Sequence, residues 1–137
     1  MTQSIQGTLT TQLAGTTWQM LARCRWPDES LINGTHTTGT DGIVDVTLRV
    51  YELSSDSPLV AVYAPSNLTT GSVLTATLTA GGAYWTRDTD GYNFRHALAS
   101  TNFTHKKGSL YLVVYTFNPH ASNVYGPHKE AFLVTCA

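Results

Sequence analysis

The five histidines are the side chains best suited to bind a transition metal or to transfer a proton near neutral pH. They are His36, His96, His105, His120 and His128, and no two of them lie at the close spacing of a metal site. His120 and His128 flank a Tyr-Gly-Pro turn and could meet across a hairpin, but zinc needs a third protein ligand that the sequence does not indicate. His96 lies on the apolar face of a predicted strand, so we expect a hydrogen-bonded histidine at the edge of the core rather than a ligand.

The acidic residues offer one motif that resembles a cation site. Asp88-Thr-Asp90-Gly91 alternates carboxylates and ends in glycine, as the first residues of a calcium loop do. The remainder of such a loop is missing, because the next residues lead directly into a strand. We therefore favour a tight turn with Asp90-Gly91 at its corner and Gly91 at positive φ.

Other catalytic patterns are not found in the sequence. Asp28-Glu29 is a second acidic pair, but it has no obvious partner for catalysis by two carboxylates. The sequence has no phosphate-binding loop, no Gly-x-Ser-x-Gly motif and no recognisable Ser-His-Asp order. We predict that the protein is not an enzyme and has no catalytic, cofactor-binding or metal-binding residues.

The two cysteines, Cys24 and Cys136, are far apart in the sequence. Small domains stapled by disulfides normally carry more cysteines at closer spacing. Two buried free thiols are the favoured interpretation. A single long-range bridge remains allowed if both residues lie on facing inner strands.

Four aromatic residues beside predicted turns are candidates for contact with a partner. They are Trp26, Tyr84, Trp85 and Tyr125. Exposed rings on a β-domain can pack on a protein partner or stack on a sugar. The interpretation that we favour is that they cap the open ends of the domain.

The elements that must position these side chains are strands. In residues 42–53, Val44, Val46, Leu48 and Val50 alternate with polar residues, which is typical of a strand with one buried face. Turn residues separate further segments rich in Thr, Val, Tyr and Leu. The predicted strands are Gly7–Leu13, Trp18–Cys24, Gly42–Leu53, Leu59–Tyr63, Val73–Thr79, Tyr92–Leu98, Leu110–Phe117 and Phe132–Cys136. About seven or eight short strands predict one all-β domain over residues 1–137, a single antiparallel β-sandwich.

Composition limits the classes of partner. Charged residues make up 12% of the 137 residues and the formal net charge is -1, which argues against wrapping a nucleic acid. No apolar run is long enough to span a membrane. The first fifteen residues lack the basic and apolar segments of a secretion signal, so we expect synthesis in the cytoplasm and no membrane partner.

The strand at 110–117 carries apolar side chains on both faces. A strand in a sandwich normally buries one face and exposes the other. Either the loop Gly81–Asp90 with Trp85 covers the more aromatic face, or a neighbouring subunit does. We favour the subunit and predict a homo-oligomer. The predicted assembly interface is Tyr111, Val113, Tyr115 and Phe117.

Residues 40–136 resemble small Ig-like virion proteins of tailed bacteriophages, of the head-decoration and upper-baseplate type. The resemblance is carried by the Gly-Tyr-Asn-Phe strand within Tyr84–Leu98, by the apolar plug Phe103, and by the Tyr-x-Val-x-Tyr strand within Leu110–Tyr115. The upstream strand Val46-Thr-Leu-Arg-Val-Tyr51 is also similar to the strand that precedes this hairpin in such domains.

This resemblance implies an Ig-like β-sandwich that serves as a non-enzymatic structural component of a virion. Its place would be as a capsid decoration, neck or baseplate accessory protein, acting by self-association and by docking on other virion proteins. Its location would be the virion, assembled in the host cytoplasm. The alternative is a carbohydrate-binding or host-receptor-binding β-sandwich module, in which Trp26, Tyr84 or Trp85 stacks on a sugar ring.

Overall fold

The strands that the sequence predicts are all present. The computed structural model describes residues 9–33, 43–65, 68–80, 85, 87–119 and 126–137. The strands are β1 (Leu9–Gln12), β2 (Trp18–Ala22), β3 (Ile43–Glu52), β4 (Ala61–Tyr63), β5 (Leu74–Thr79), β6 (Tyr92–Leu98), β7 (Leu110–Pro119) and β8 (His128–Cys136), with a single helical turn α1 (Thr70–Val73) before β5. Each overlaps a predicted segment, and the all-β prediction is confirmed.

The strands form two sheets. One has five strands in the order β1-β8-β7-β3-β4, and the other has three in the order β2-β6-β5. Neighbouring strands are antiparallel except β1, which pairs parallel with β8. The fold is therefore a β-sandwich in which antiparallel pairs predominate. No helix within the described residues has the length and apolar character that crossing a membrane requires.

Aromatic side chains from both sheets fill the space between them. The ring of Phe94 on β6 lies 4.6 Å from the ring of Tyr115 and 5.4 Å from the ring of Phe117 on β7. The ring of Trp18 on β2 lies 5.6 Å from that of Tyr111 on β7. These contacts join the two sheets into one apolar core, whose burial is the main source of stability in such a fold.

This packing corrects the predicted assembly interface. Tyr111, Val113, Tyr115 and Phe117 are all 0% exposed within a single chain. The aromatic face of β7 is covered by the second sheet of the same molecule, and a neighbouring subunit is not needed to bury it. The prediction that these four residues form an interface between subunits is wrong for this reason.

A bulge at the start of β3 corrects the position of one predicted core residue. Ile43 lies opposite Pro119 and Asp45 lies opposite Asn118, so two steps along β3 match one step along β7. A bulge of this kind interrupts the alternation of side chains. Val44 is consequently 54% exposed instead of buried with Val46.

Candidate functional site

A cluster of polar side chains is buried at the end of the sandwich where β8 begins. Cys24 follows β2, Asn93 belongs to β6, and His128 and Glu130 stand two residues apart on β8. Cys24 and Glu130 are 0% exposed and Asn93 is 1% exposed. We call Cys24, Asn93, His128 and Glu130 the polar centre.

One carboxylate oxygen connects the chemically active members of the polar centre. Glu130 Oε2 lies 3.6 Å from Cys24 Sγ and 3.1 Å from His128 Nε2. The possible ligand atoms of these three residues all lie within 4.8 Å of one another. The second oxygen, Glu130 Oε1, is buried without a hydrogen-bond partner in the described structure. A buried polar atom left in this way is uncommon and costly.

Burial raises the pKa of two members of the polar centre, Glu130 and Cys24. It raises the pKa of Glu130 above the ordinary carboxyl value, although the hydrogen bond and the charge of His128 oppose the rise. Burial raises the pKa of the Cys24 thiol well above its usual value, and the nearby Glu130 adds to the effect. A nucleophilic cysteine needs a lowered pKa and access to its substrate. Cys24 has neither, so the cluster is not arranged as a thiol catalyst.

Cys24 is held in place by the side chain of Asn93. Asn93 Oδ1 accepts a hydrogen bond from the Cys24 amide at 2.6 Å, and Nδ2 donates to the carbonyls of Cys24 and Ile32 at 3.0 and 2.7 Å. Alternation within β6 predicts that Asn93 points to the solvent. It is buried because the segment from Cys24 to Ile32 folds back over it, closed by the Ile32 amide bonding to the Cys24 carbonyl.

The acidic pair Asp28-Glu29 forms the turn of this segment. Asp28 Oδ1 accepts a hydrogen bond from the Ser30 amide, and the Glu29 amide bonds to the Trp26 carbonyl. Glu29 is the only non-glycine residue with positive φ in the described chain. The pair therefore shapes the loop that carries Cys24.

The imidazole of His128 is held by two aromatic rings. Phe117 stacks on it at 5.8 Å between ring centroids, and Trp26 meets it edge-on at 6.5 Å. The side chain remains 12% exposed. Trp26 is itself only 3% exposed, which corrects its predicted role as an exposed contact residue. It closes this end of the sandwich.

Trp85 is a second tryptophan that is buried and therefore not the exposed contact residue considered for it. It is 4% exposed, and its Nε1 donates a hydrogen bond to Asp88 Oδ1 at 3.0 Å. The guanidinium groups of Arg87 and Arg23 lie 5.7 and 6.0 Å from its ring centroid. The ring is covered by residues of the same chain, namely Arg23, Arg87, Asp88 and Tyr92. Tyr84 and Tyr125, the other two predicted contact residues, lie outside the described residues.

The Asp88–Gly91 segment is a turn stabilised by arginine. Asp88 Oδ1 accepts hydrogen bonds from the amides of Asp90 and Gly91, and its Oδ2 pairs with Arg23 at 2.9 Å. These donors hold the pKa of Asp88 well below its usual value, the hydrogen bond from Arg23 being the main cause. Gly91 has φ 102°, as predicted. The carboxylate that would begin a calcium loop thus binds a guanidinium.

The remaining predicted positions fall in separate places. His96 Nδ1 lies 2.8 Å from the hydroxyl of Tyr115, which confirms a hydrogen-bonded histidine at the edge of the core. His36 and His120 lie outside the described residues, so their predicted roles stay predictions. Cys24 and Cys136 are both buried and unbridged. Because Cys136 is six residues beyond Glu130 on β8, about 20 Å along the strand, a bridge to Cys24 would need a different fold.

Among the described residues, exposed apolar side chains are concentrated at β4 and the turn before it. Leu59 is 90% exposed, Val60 64% and Val62 43%. The strand β4 is the last of the five-stranded sheet, and its outer edge has no partner among the described strands. We call Leu59, Val60 and Val62 the β4 edge patch.

Sequence reasoning missed the polar centre because its members come from three distant segments. The pattern His-x-Glu on a strand places His128 and Glu130 on the same side, and this spacing is the signal in the sequence that could have located them.

Comparison with known protein families, with curated proteins and with solved structures finds no match for this chain.

Proposed function

We propose that the protein is a non-enzymatic structural component that acts by self-association and by docking on other proteins, as an accessory part of a tailed-phage virion. Capsid decoration, neck and baseplate positions all fit this proposal. The similarity of residues 40–136 to small Ig-like virion proteins supports it. The observed two-sheet β-sandwich agrees with the fold which that similarity implies.

The observation that carries the assembly proposal is the β4 edge patch. An edge strand with unpaired backbone groups can accept a strand from another chain, and natural proteins usually protect such edges with charges. Here Val62 on β4 and Leu59 and Val60 in the turn before it present apolar surface at this edge instead. Pairing of β4 with the same strand of a second copy would bury this surface and extend the sheet across both molecules.

The described side chains also favour a structural role over catalysis or sugar binding. Cys24 is buried with a raised pKa, and Asp88 is bonded to Arg23. A sugar-binding module needs exposed ring faces, whereas Trp26 and Trp85 are almost completely buried. Neither tryptophan therefore presents a ring face on which a sugar could stack, as the carbohydrate-binding alternative requires.

Self-association is tested by light scattering on the eluate of a sizing column over a range of concentrations. The wild type should form an oligomer that Leu59→Lys with Val62→Lys dissociates, while circular dichroism stays that of a folded β-protein. The matched control is Leu13→Lys with Val44→Lys, which changes two exposed apolar residues away from the β4 edge patch and should leave the oligomer intact. A monomeric wild type at high concentration contradicts self-association.

The virion location needs a separate test. A tagged chain produced during particle assembly should band with intact particles in a density gradient and be visible by immunogold microscopy at regular positions. A chain that remains at the top of the gradient contradicts the virion proposal. It does not affect the conclusion on self-association.

A further inference from the structure

We propose that Cys24, His128 and Glu130 bind one Zn²⁺ ion, which links the two sheets of the sandwich. This inference does not depend on the proposed assembly function. Cys24 follows β2 of the three-stranded sheet, and the other two residues belong to β8 of the five-stranded sheet. An ion at this point would tie the end of one sheet to the beginning of a strand in the other.

Two of the three distances between the donor atoms are close to those of a tetrahedral site. With zinc–sulfur bonds near 2.3 Å and zinc–nitrogen or zinc–oxygen bonds near 2.0 Å, two ligands of one ion are about 3.3–3.6 Å apart. Glu130 Oε2 lies 3.6 Å from Cys24 Sγ and 3.1 Å from His128 Nε2. The remaining pair, the donor atoms of Cys24 and His128, lies within 4.8 Å, so a rotation of these side chains would bring both onto one ion.

The types of donor select zinc over the hard cations. Calcium and magnesium prefer oxygen ligands and coordinate six or more of them. A thiolate, an imidazole and a carboxylate are the three ligand types that zinc accepts together. Three protein ligands would leave the fourth tetrahedral position to a water molecule.

Glu130 provides a second, independent indication that a ligand belongs here. Its carboxyl group is completely buried, and Oε1 has no hydrogen-bond partner in the described structure. A buried carboxyl normally has all its oxygens bonded, because an unpaired one loses its hydration without replacement. A divalent cation beside the carboxylate would compensate for that loss. On binding, the proton of the Cys24 thiol would pass to solvent.

The site is also held ready for a ligand by residues around it. Asn93 makes two hydrogen bonds to the backbone of Cys24 and a third to the Ile32 carbonyl, and Phe117 and Trp26 hold the imidazole of His128. Residues that orient metal ligands in this way reduce the reorganisation needed for binding. Zinc would therefore bind without a change of fold.

Cobalt substitution tests the proposal directly, because Co²⁺ reports its ligands in its absorption spectrum. Protein freed of metal by a chelator and then given Co²⁺ should show a thiolate-to-cobalt charge-transfer band and strong tetrahedral visible bands, both saturating at one equivalent. Added Zn²⁺ should displace the cobalt. Zinc should also raise the melting temperature, since it binds the folded state.

The chain offers a matched control in its second cysteine. Cys136 is also buried. It lies at the other end of β8 from His128 and Glu130 and is therefore distant from the polar centre. Cys136→Ser should keep the charge-transfer band, whereas Cys24→Ser should lose it, and Glu130→Gln should weaken Co²⁺ binding at least about tenfold.

The cobalt spectra of the wild type and of Cys136→Ser decide whether Cys24 binds the metal, even if the other variants fail to fold. If both show the band, the thiolate is Cys24, because the chain has two cysteines. The proposal is overturned if the wild type shows no band at about tenfold excess of Co²⁺. It is equally overturned if Cys136→Ser alone abolishes the band.

Discussion

The two ends of the sandwich are closed by different kinds of side chain. At one end Trp18, Phe103, His105 and Tyr111 pack ring against ring, with centroids 4.2–5.6 Å apart. At the other end the polar centre brings a thiol, an amide, an imidazole and a carboxyl group together. We call the first cluster the aromatic end.

The comparison shows what distinguishes a buried polar group that supports the fold from one that suits a ligand. At the aromatic end Trp18 Nε1 donates to the Leu13 carbonyl and the Tyr111 hydroxyl bonds to Thr104 and Lys106. His105 Nε2 is buried without a partner there, but aromatic rings surround it. The unpartnered oxygen of Glu130 instead belongs to a carboxyl group whose other oxygen, Oε2, lies beside Cys24 and His128. Only the polar centre combines an unsatisfied atom with a set of ligands among the described residues.

The largest effect should come from the aromatic end. Trp18→Ala removes a completely buried indole and leaves a cavity between the sheets, so the free energy of unfolding should fall by about 3–5 kcal/mol. Urea denaturation followed by circular dichroism measures the change. Leu13→Ala is the control, since its side chain is 62% exposed and its carbonyl is retained. A similar loss in both variants would contradict the packing described.

The next largest effect should come from Asn93, which supports the polar centre. Asn93→Leu leaves the amide of Cys24 and the carbonyls of Cys24 and Ile32 without their buried partner, so stability should fall by about 3 kcal/mol. The same variant should bind Co²⁺ more weakly than the wild type. Asn102→Ala, which removes one hydrogen bond from a turn, should cost about 1 kcal/mol. Unchanged cobalt binding in Asn93→Leu would mean that Cys24 is held by other contacts.

A smaller effect is expected at Gly91, the residue just before β6 and two residues before Asn93. A Cβ atom there would lie 2.1 Å from the Thr79 carbonyl oxygen, in addition to the unfavourable φ of 102°. Gly91→Ala should lower stability by about 2 kcal/mol. Gly15 has φ 78° but open space around it, so Gly15→Ala should cost only about 1 kcal/mol. Equal losses would show that the contact with Thr79 relaxes freely.

The smallest effect is a pH dependence that comes mainly from His96, which lies outside both clusters. Burial lowers the pKa of His96 below its ordinary value, so the unfolded chain binds a proton more readily than the folded protein. Stability should be complete above about pH 6.5 and decline as the pH falls toward the lower folded value. His105 contributes in the same direction, since burial also lowers its pKa. His96→Gln should flatten the decline in urea-unfolding measurements, and an unchanged profile would place its origin elsewhere.

Alternation of side chains was sufficient to predict the strands and most of the core. Trp18, Met20 and Cys24 are buried as their spacing requires, and β7 has one completely buried face. The pattern could not show what covers that face. It does not distinguish a second sheet of the same chain from a neighbouring molecule, and the prediction of an interface at Tyr111 and Tyr115 was wrong for that reason.

Local patterns also could not locate residues whose environment is made by distant segments. Val44 is exposed because a bulge interrupts the alternation along β3. Asn93 is buried because the Cys24–Ile32 segment covers it. Trp26 and Trp85 stand beside turns, yet both fold inward. The polar centre needs Cys24 and Glu130 to meet across two sheets, which only the three-dimensional fold can bring about.

The most direct test of the difference between the two ends is a zinc titration followed by two-dimensional NMR of the ¹⁵N-labelled protein. The account predicts that the amide signals of Cys24, His128 and Glu130 shift and saturate at one equivalent, while those of Trp18 and Tyr111 at the aromatic end stay in place. Shifts of equal size at both ends, or no shift at the polar centre, would contradict it.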